Sequence, residues 1–151
     1  MEQTIKYIEE RSKNIKIYSE KLSKSLRIID RKLEKFFEEA EIEFYDSACL
    51  GHLDVEFDEL PMYLAINKNE NDVWGINIDS KYKECEGEYN QSVGYGVAQK
   101  LNVAIVKRLP EFLKLYAAAL EKKTRNMKIW LPLLKKWKNC LRKVTSNDKR
   151  N

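Results

Sequence analysis

The chain is poor in cysteine, histidine, glycine and proline, and each shortage excludes a class of protein. Its 151 residues include 3 Cys, 1 His, 5 Gly and 3 Pro. Low Gly and Pro exclude collagen-like and low-complexity chains, and 43% apolar residues is too many for a disordered one. Three scattered cysteines and one histidine do not make the four clustered ligands of a structural zinc site. They predict free thiols in a reducing compartment, and hence a cytoplasmic protein.

Long apolar runs are also missing. No uncharged stretch approaches the roughly 20 residues that span a bilayer. Because no apolar segment follows the acid at Glu2, we expect no signal peptide. A chain of this length buries roughly two-thirds of its unfolded surface, so we predict one domain that folds without a disulfide or metal staple. We expect no cofactor.

Apolar residues of the first forty positions recur at heptad spacing. No Gly or Pro occurs before Gly51, so nothing interrupts a helix over residues 1–40. The pattern predicts one long helix that pairs along a seam, with the C-terminal helices or with a second copy of the chain. We expect a homodimer through this helix. The residues that recur every seventh position are Ile8, Ile15, Leu22, Ile29 and Phe36.

The remaining periodicities complete an α+β fold. A period of two over residues 41–90 predicts an antiparallel meander of four or five strands, with a hairpin turn at 67–72 and one acidic, exposed face. A period of 3.6 over residues 97–143 predicts two to three helices, interrupted near Pro110 and near 121–126, that pack on one face of the sheet. We therefore predict a single domain over 1–144 and a disordered basic tail over 145–151.

Acidic and basic residues occupy different parts of the chain. Residues 38–91 carry three Lys/Arg against fifteen Asp/Glu, whereas residues 121–151 carry eleven against two. Such segregation acts on partner choice and encounter rate. The predicted acidic face comprises Glu41, Glu43, Asp54, Glu56 and Asp58. The predicted basic surface comprises Lys135, Lys136, Lys138, Arg142 and Lys143.

The acidic face predicts a non-catalytic interaction module. A row of carboxylates presented to an arginine-rich groove gives fast, salt-sensitive binding, so the expected partner is a protein or ribonucleoprotein complex. Small size, Lys- and Asn-rich composition and the helix–meander–helix order are similar in general character to small phage or mobile-element proteins. Some of those are anti-CRISPR proteins, and this resemblance implies an inhibitor of a host defence complex. It rests on no motif and transfers no site.

The last helix supports two alternatives. Its basic residues surround Trp130 and Trp137, a combination typical of nucleic-acid binding by phosphate neutralisation and base stacking. The same basic, amphipathic helix is also typical of membrane-surface binding. Both tryptophans lie on the apolar stripe, however, so we expect them in the core or in a subunit interface.

Two catalytic alternatives have weaker support. Asp79-Ser80-Lys81 resembles the acidic-x-Lys signature of restriction-endonuclease-type nucleases, and Asp58, or else Asp54 or Glu56, would supply the first Mg²⁺ ligand. No proline precedes Asp58, and so short a triplet often occurs by chance. A nucleophile pairing Cys49 with His52 is not expected, since three residues along a strand place two side chains on opposite faces.

Overall fold

A computed structural model of the chain describes residues 1–55, 58–80 and 90–147 and confirms the α+β class. Packing divides the chain into two units, Met1–Leu113 and Lys114–Asn151. The elements are helix α1 (Glu2–Ala40), strands β1 (Phe44–Val55), β2 (Asp58–Lys68), β3 (Trp74–Asp79) and β4 (Asn90–Ser92), a 3₁₀ helix (Gly96–Leu101) and helix α2 (Asn102–Asn147). No helix in the described part of the chain is long and apolar enough to cross a membrane.

The sheet is an antiparallel meander in the order β1-β2-β3-β4, as the sequence predicts. The two strands expected around 42–45 and 52–58 are joined in β1, whose register against β2 shifts between Tyr45 and Gly51. A bulge of this kind absorbs extra residues without ending the strand, so the described chain contains four strands. The predicted hairpin turn lies at 69–73, where the Asn69 side chain accepts the backbone N–H groups of Asn71 and Val73.

Helix α1 has the predicted extent, but only its second half is packed. Its buried residues are Ser23, Leu26 and Phe37, whereas the seam residues Ile8 and Ile15 are exposed. Two hydrogen bonds between α1 side chains and backbone groups hold the helix to the rest of this unit. The Asp30 carboxylate accepts a hydrogen bond from the Ile76 N–H at 2.6 Å. Ile76 lies beyond the part of β3 that pairs with β4, so this bond satisfies an N–H group on the strand edge. Arg27 donates to the carbonyl of Gly94 at 2.9 Å.

Glycine at position 94 allows that close approach. Its φ of 79° lies in the left-handed region, and a Cβ there would stand 2.6 Å from the Ser23 carbonyl oxygen. A side chain at this position would therefore clash with the α1 backbone.

The C-terminal region contains one described helix, α2, where the sequence predicted two to three. Pro110 removes one N–H donor, but it lies at an exposed position and the helix continues through it. The polar stretch 121–126 is also helical, because long charged side chains are good helix formers and Glu121 pairs with Arg125 one turn on. The predicted tail begins inside α2, and residues 148–151 lie outside the described residues.

The core of Met1–Leu113 lies on one face of the sheet. Strand register places Ile66 opposite Ile76 and Leu64 opposite Ile78, so these four side chains share that face, and all are fully buried. The rings of Phe44 and Phe112 pack with centroids 5.6 Å apart. Other buried apolar residues of this unit are Leu26, Phe37, Leu53, Met62, Ile105 and Leu109.

Candidate interaction surfaces

The second face of the sheet is polar. Its side chains form hydrogen bonds with one another. Asn67 donates to Asp79 at 3.0 Å, and Asn77 donates to the Asn67 amide oxygen at 2.7 Å. Asn90 and Ser92 of β4 extend the network to Asp79 and Asn77. Asn67 and Asn77 are 5% and 0% exposed. The expected acidic face is therefore, in its centre, an amide-rich network that fixes strand pairing.

The nuclease alternative gains no support from this arrangement. Asp79 lies opposite Tyr63, and Asp58 lies five residues further along β2, which is roughly 16 Å at 3.3 Å per residue. Two carboxylates at that distance cannot share one Mg²⁺ ion. No group of three or more metal-ligating side chains occurs in the described part of the chain. Lys81 lies outside the described residues.

The predicted acidic residues fall at two ends of the β1–β2 hairpin instead of along one row. Glu41 ends α1 and Glu43 precedes β1, so both lie at one end, and both are exposed. Asp54 lies near the far end of the 12-residue strand, opposite Glu59. Asp58 is the first residue of β2, with its side chain undescribed, and Glu56 lies outside the described residues. The unbroken β1 separates the two groups, because it replaces two shorter strands.

Asp54 and Glu59 form a cross-strand pair of like charge. Both side chains are exposed, and neither forms an ion pair with a residue of the described ranges. Like charges directly opposite each other destabilise a sheet. Five other carboxylates of the same unit are engaged by a cation or by an N–H donor, namely Asp30, Glu39, Asp46, Asp72 and Asp79. Others, such as Glu9 and Glu10 on α1, are exposed like Asp54 and Glu59.

An open, polar cleft of about 530 Å³ lies beside β4. Asp30, Arg31 and Glu34 of α1 line one side of it, and Asn90 and Tyr95 are among the residues on the other. Burial raises the pKa of Asp30 to about 6, and its hydrogen bond from the Ile76 N–H only partly offsets this rise. The cleft is lined by charged side chains of both signs together with amide and hydroxyl groups, so its chemistry is that of a polar recess.

Cys49 and His52 differ from the sequence expectation. Both are exposed, and the bulged register places them opposite Tyr63 and Pro61, which lie on one face of β2. The bulge thus overrides simple alternation and brings the two positions to the same side. The Cys49 thiol donates to the carbonyl of Gly51 at 3.4 Å. No hydrogen bond joins the cysteine and histidine side chains among the contacts described, and the pair shows no catalytic geometry.

The basic surface predicted on the last helix is exposed. Lys135, Lys136, Lys138 and Arg142 all face solvent on α2. Lys143 lies on the same helix, with its side chain undescribed. Every residue from Glu121 to Asn139 is exposed. This part of Lys114–Asn151 therefore contains no buried side chain.

The apolar stripe of the same helix is exposed as well. Trp130 and Trp137 are 63% and 71% exposed, so they do not lie in the core, and the other expectation, a subunit interface, stays a prediction. Sequence periodicity identified the stripe but not its exposure, because periodicity does not say which surface covers a stripe. We call Met127–Asn139 the amphipathic segment. Its exposed apolar residues are Met127, Ile129, Trp130, Leu131, Leu133, Leu134 and Trp137.

Comparison with known proteins finds no matching family model, curated protein or solved structure. The function is therefore inferred from the geometry of the two units alone.

Proposed function

We propose that this chain is a non-catalytic interaction module that binds a protein or ribonucleoprotein partner through the acidic end of the β1–β2 hairpin. The observation that carries the proposal is the exposed pair of Asp54 and Glu59, two like charges on adjacent strands. Such a pair costs stability in the free protein, whereas a cationic partner surface converts it into a favourable contact. A partner groove rich in arginine fits this pair, since guanidinium groups bind carboxylates in a bidentate manner.

The contrast with other carboxylates supports this assignment. Asp46 is buried and receives two hydrogen bonds from Arg108, at 2.7 and 2.8 Å, so its charge is used inside the fold. Asp54 and Glu59 have no comparable role there. The narrower hypothesis of a phage-encoded inhibitor of a host defence complex, of the anti-CRISPR kind, rests on size and composition alone.

Charge reversal at the hairpin tests the proposal. A tagged full-length chain and its Asp54→Lys, Glu59→Lys variant are used for affinity purification from the native host, followed by mass spectrometry. We expect a stoichiometric partner with the parent chain and its loss with the variant, while circular dichroism stays unchanged. Glu9→Lys, Glu10→Lys is the matched control, since both glutamates are exposed on α1 and the change in charge is equal. Equal capture by the hairpin variant would refute the acidic-end assignment.

Self-association through α1 is a second part of this proposal. Ile5, Ile8 and Ile15 lie on the predicted seam and are 52%, 57% and 70% exposed. Pairing with a second copy would cover this apolar edge. We expect Ile8→Asp, Ile15→Asp to convert an oligomer into a monomer in light scattering, whereas Ile17→Asp, off the seam, leaves the mass unchanged. A parent chain that stays monomeric at high concentration would argue against the homodimer.

Nucleic-acid binding is the alternative function that a specific observation favours. Trp130 and Trp137 are exposed among lysines, so both rings are open to stacking. Binding of this kind falls steeply with salt, because it releases counterions from phosphates. A titration of single-stranded DNA at two salt concentrations distinguishes it from protein binding. A flat salt response would exclude a phosphate-driven mode.

A further inference from the structure

We propose that the amphipathic segment Met127–Asn139 lies on the surface of a lipid bilayer that contains anionic headgroups. This goes beyond the proposed function, because it concerns the unit Lys114–Asn151 and does not depend on the acidic hairpin. The helix would lie in the plane of the interface, with its apolar side chains at the boundary of headgroups and acyl chains. The segment spans about 20 Å, at 1.5 Å per residue.

The positive charge around the amphipathic segment specifies the sign of the charge on the partner surface. From Lys122 to Asn147 the chain carries nine Lys/Arg and no Asp/Glu. Lys128, Lys135 and Lys136 occupy the polar side of the amphipathic segment. Lys138 lies just inside the edge of the apolar side, between Met127 and Leu131, where a long side chain extends toward headgroups. Basic residues near an anionic membrane are each attracted to it, and the attraction falls off within a Debye length. The partner of this helix must therefore be anionic.

The width of the apolar arc specifies a flat, apolar partner. At about 100° per residue, the seven exposed apolar side chains of the segment cover roughly 200° of the helix circumference. A seam for one partner helix is much narrower, since it uses two positions in seven. A bilayer interface covers about half of a helix that lies in its plane, and this matches the observed arc.

The other candidate occupants fit less well. A second copy would bring together two helices that each carry nine positive charges without a compensating acid. Nucleic acid would neutralise the lysines and stack on Trp130 and Trp137, but it offers no aliphatic surface to cover Leu133 and Leu134. Tryptophans beside leucines are typical of helices at membrane–water interfaces.

Tryptophan fluorescence of the full-length chain tests the proposal directly. The chain has three tryptophans, so Trp74→Phe leaves Trp130 and Trp137 as the only indoles. Vesicles of phosphatidylcholine with one-quarter phosphatidylglycerol should shift the emission to shorter wavelength and carry the protein into the pellet on sedimentation. Vesicles of phosphatidylcholine alone should bind at least about tenfold more weakly, and added salt should reduce binding to the anionic vesicles.

Two variants and their controls separate charge from apolar contact. Lys135→Glu, Lys136→Glu, Lys138→Glu should reduce partitioning to anionic vesicles at least about tenfold, since each lysine contributes separately. Lys13→Glu, Lys16→Glu, Lys24→Glu is matched in charge on exposed positions of α1 and should have a much smaller effect. Leu133→Gln, Leu134→Gln should also release the protein, whereas Val103→Gln, Val106→Gln, at exposed positions outside both the α1 seam and the amphipathic segment, should not.

Three results would overturn the inference. The first is absence of both the emission shift and sedimentation with anionic vesicles. The second is quenching by single-stranded oligothymidine without vesicle binding, which would assign the segment to nucleic acid. The third is a dimer in light scattering that Trp130→Ser, Trp137→Ser dissociates, again without vesicle binding, which would assign the segment to a second copy. None of these results bears on partner capture by Asp54 and Glu59.

Discussion

The two units of this chain use similar residues in opposite ways. Met1–Leu113 has a buried apolar core and engages most buried polar groups, as the bidentate pair of Arg108 with Asp46 illustrates, although seam residues such as Ile8 are exposed. From Glu121 to Asn139, in the second unit, both the apolar and the basic side chains are exposed. Apolar residues thus stabilise the core of the first unit, whereas in this part of the second unit they are exposed, and we propose that they form a binding surface there. Substitutions in the two units should therefore differ in kind: loss of stability in one, loss of binding in the other.

The largest loss of stability expected from a single substitution is at the pair of Arg108 and Asp46. Arg108→Met leaves a buried carboxylate without its guanidinium and should lower the free energy of unfolding by about 3 kcal/mol or more. Arg108 also holds the pKa of Asp46 below its usual range, so the pair stabilises the fold above the ordinary aspartate pKa. That contribution is lost as pH falls through the lowered pKa. Chemical denaturation at pH 7 checks the magnitude, and a loss below about 1 kcal/mol would contradict the pair's role.

The amide network should give the next largest effect. Asn77→Ala removes a fully buried side chain and leaves Asn67 and Ser92 short of partners, so we expect a loss of about 2 kcal/mol. Asn71→Ala, at an exposed position of the turn, is the control and should cost far less. Equal losses for the two variants in thermal unfolding would show that the network contributes nothing specific.

Asp30 should make stability depend on pH. Its pKa is raised to about 6, so the folded state holds a proton that the unfolded state releases near pH 4. The free energy of unfolding therefore falls as pH rises from about 4 to about 6. Asp30→Asn keeps an acceptor for the Ile76 N–H and removes this penalty, so it should gain about 1–2 kcal/mol on the parent between pH 4 and pH 7. A constant difference across that range would contradict the raised pKa.

The smallest expected effect is in the amphipathic segment. Leu134→Gln, Trp137→Gln changes two exposed side chains and should alter the free energy of unfolding by no more than about 0.5 kcal/mol. The same double change at Ile76 and Ile78, both fully buried, should prevent folding. A large loss of stability from the first variant would erase the distinction between the two units.

Local sequence patterns predicted the secondary-structure elements well. They predicted poorly the features that depend on the tertiary environment of those elements. The extent of α1 and the meander order follow from periods of 3.6 and 2, which are local properties of the chain. The joining of two strands into β1 depends on a bulge, and a bulge forms only where one strand pairs with another. That bulge also placed Cys49 and His52 on one side, where alternation alone predicted two. Pro110 misled the helix count because a proline can lie within a helix without ending it, and packing around the helix decides which occurs.

The candidate sites were predicted in part. The basic residues from Lys135 to Arg142 are exposed as expected, because a run of lysines is rarely buried. The acidic face was expected as one row, yet Glu43 and Asp54 lie at opposite ends of β1. Asn67 and Asn77 were missed, although asparagines that alternate with core residues on successive strands are a signal in the sequence.

The sequence by itself determined the class of fold, the segregation of charge and the apolar stripe of the last helix, since composition and periodicity are carried by neighbouring residues. Only the tertiary structure decided which stripes are covered. Leu26 and Phe37 on α1 are buried whereas Trp130 and Trp137 on α2 are exposed, although all four lie on apolar helical stripes. The physical reason is that burial depends on which surfaces meet in space, and a helical pattern specifies a face without specifying its neighbour.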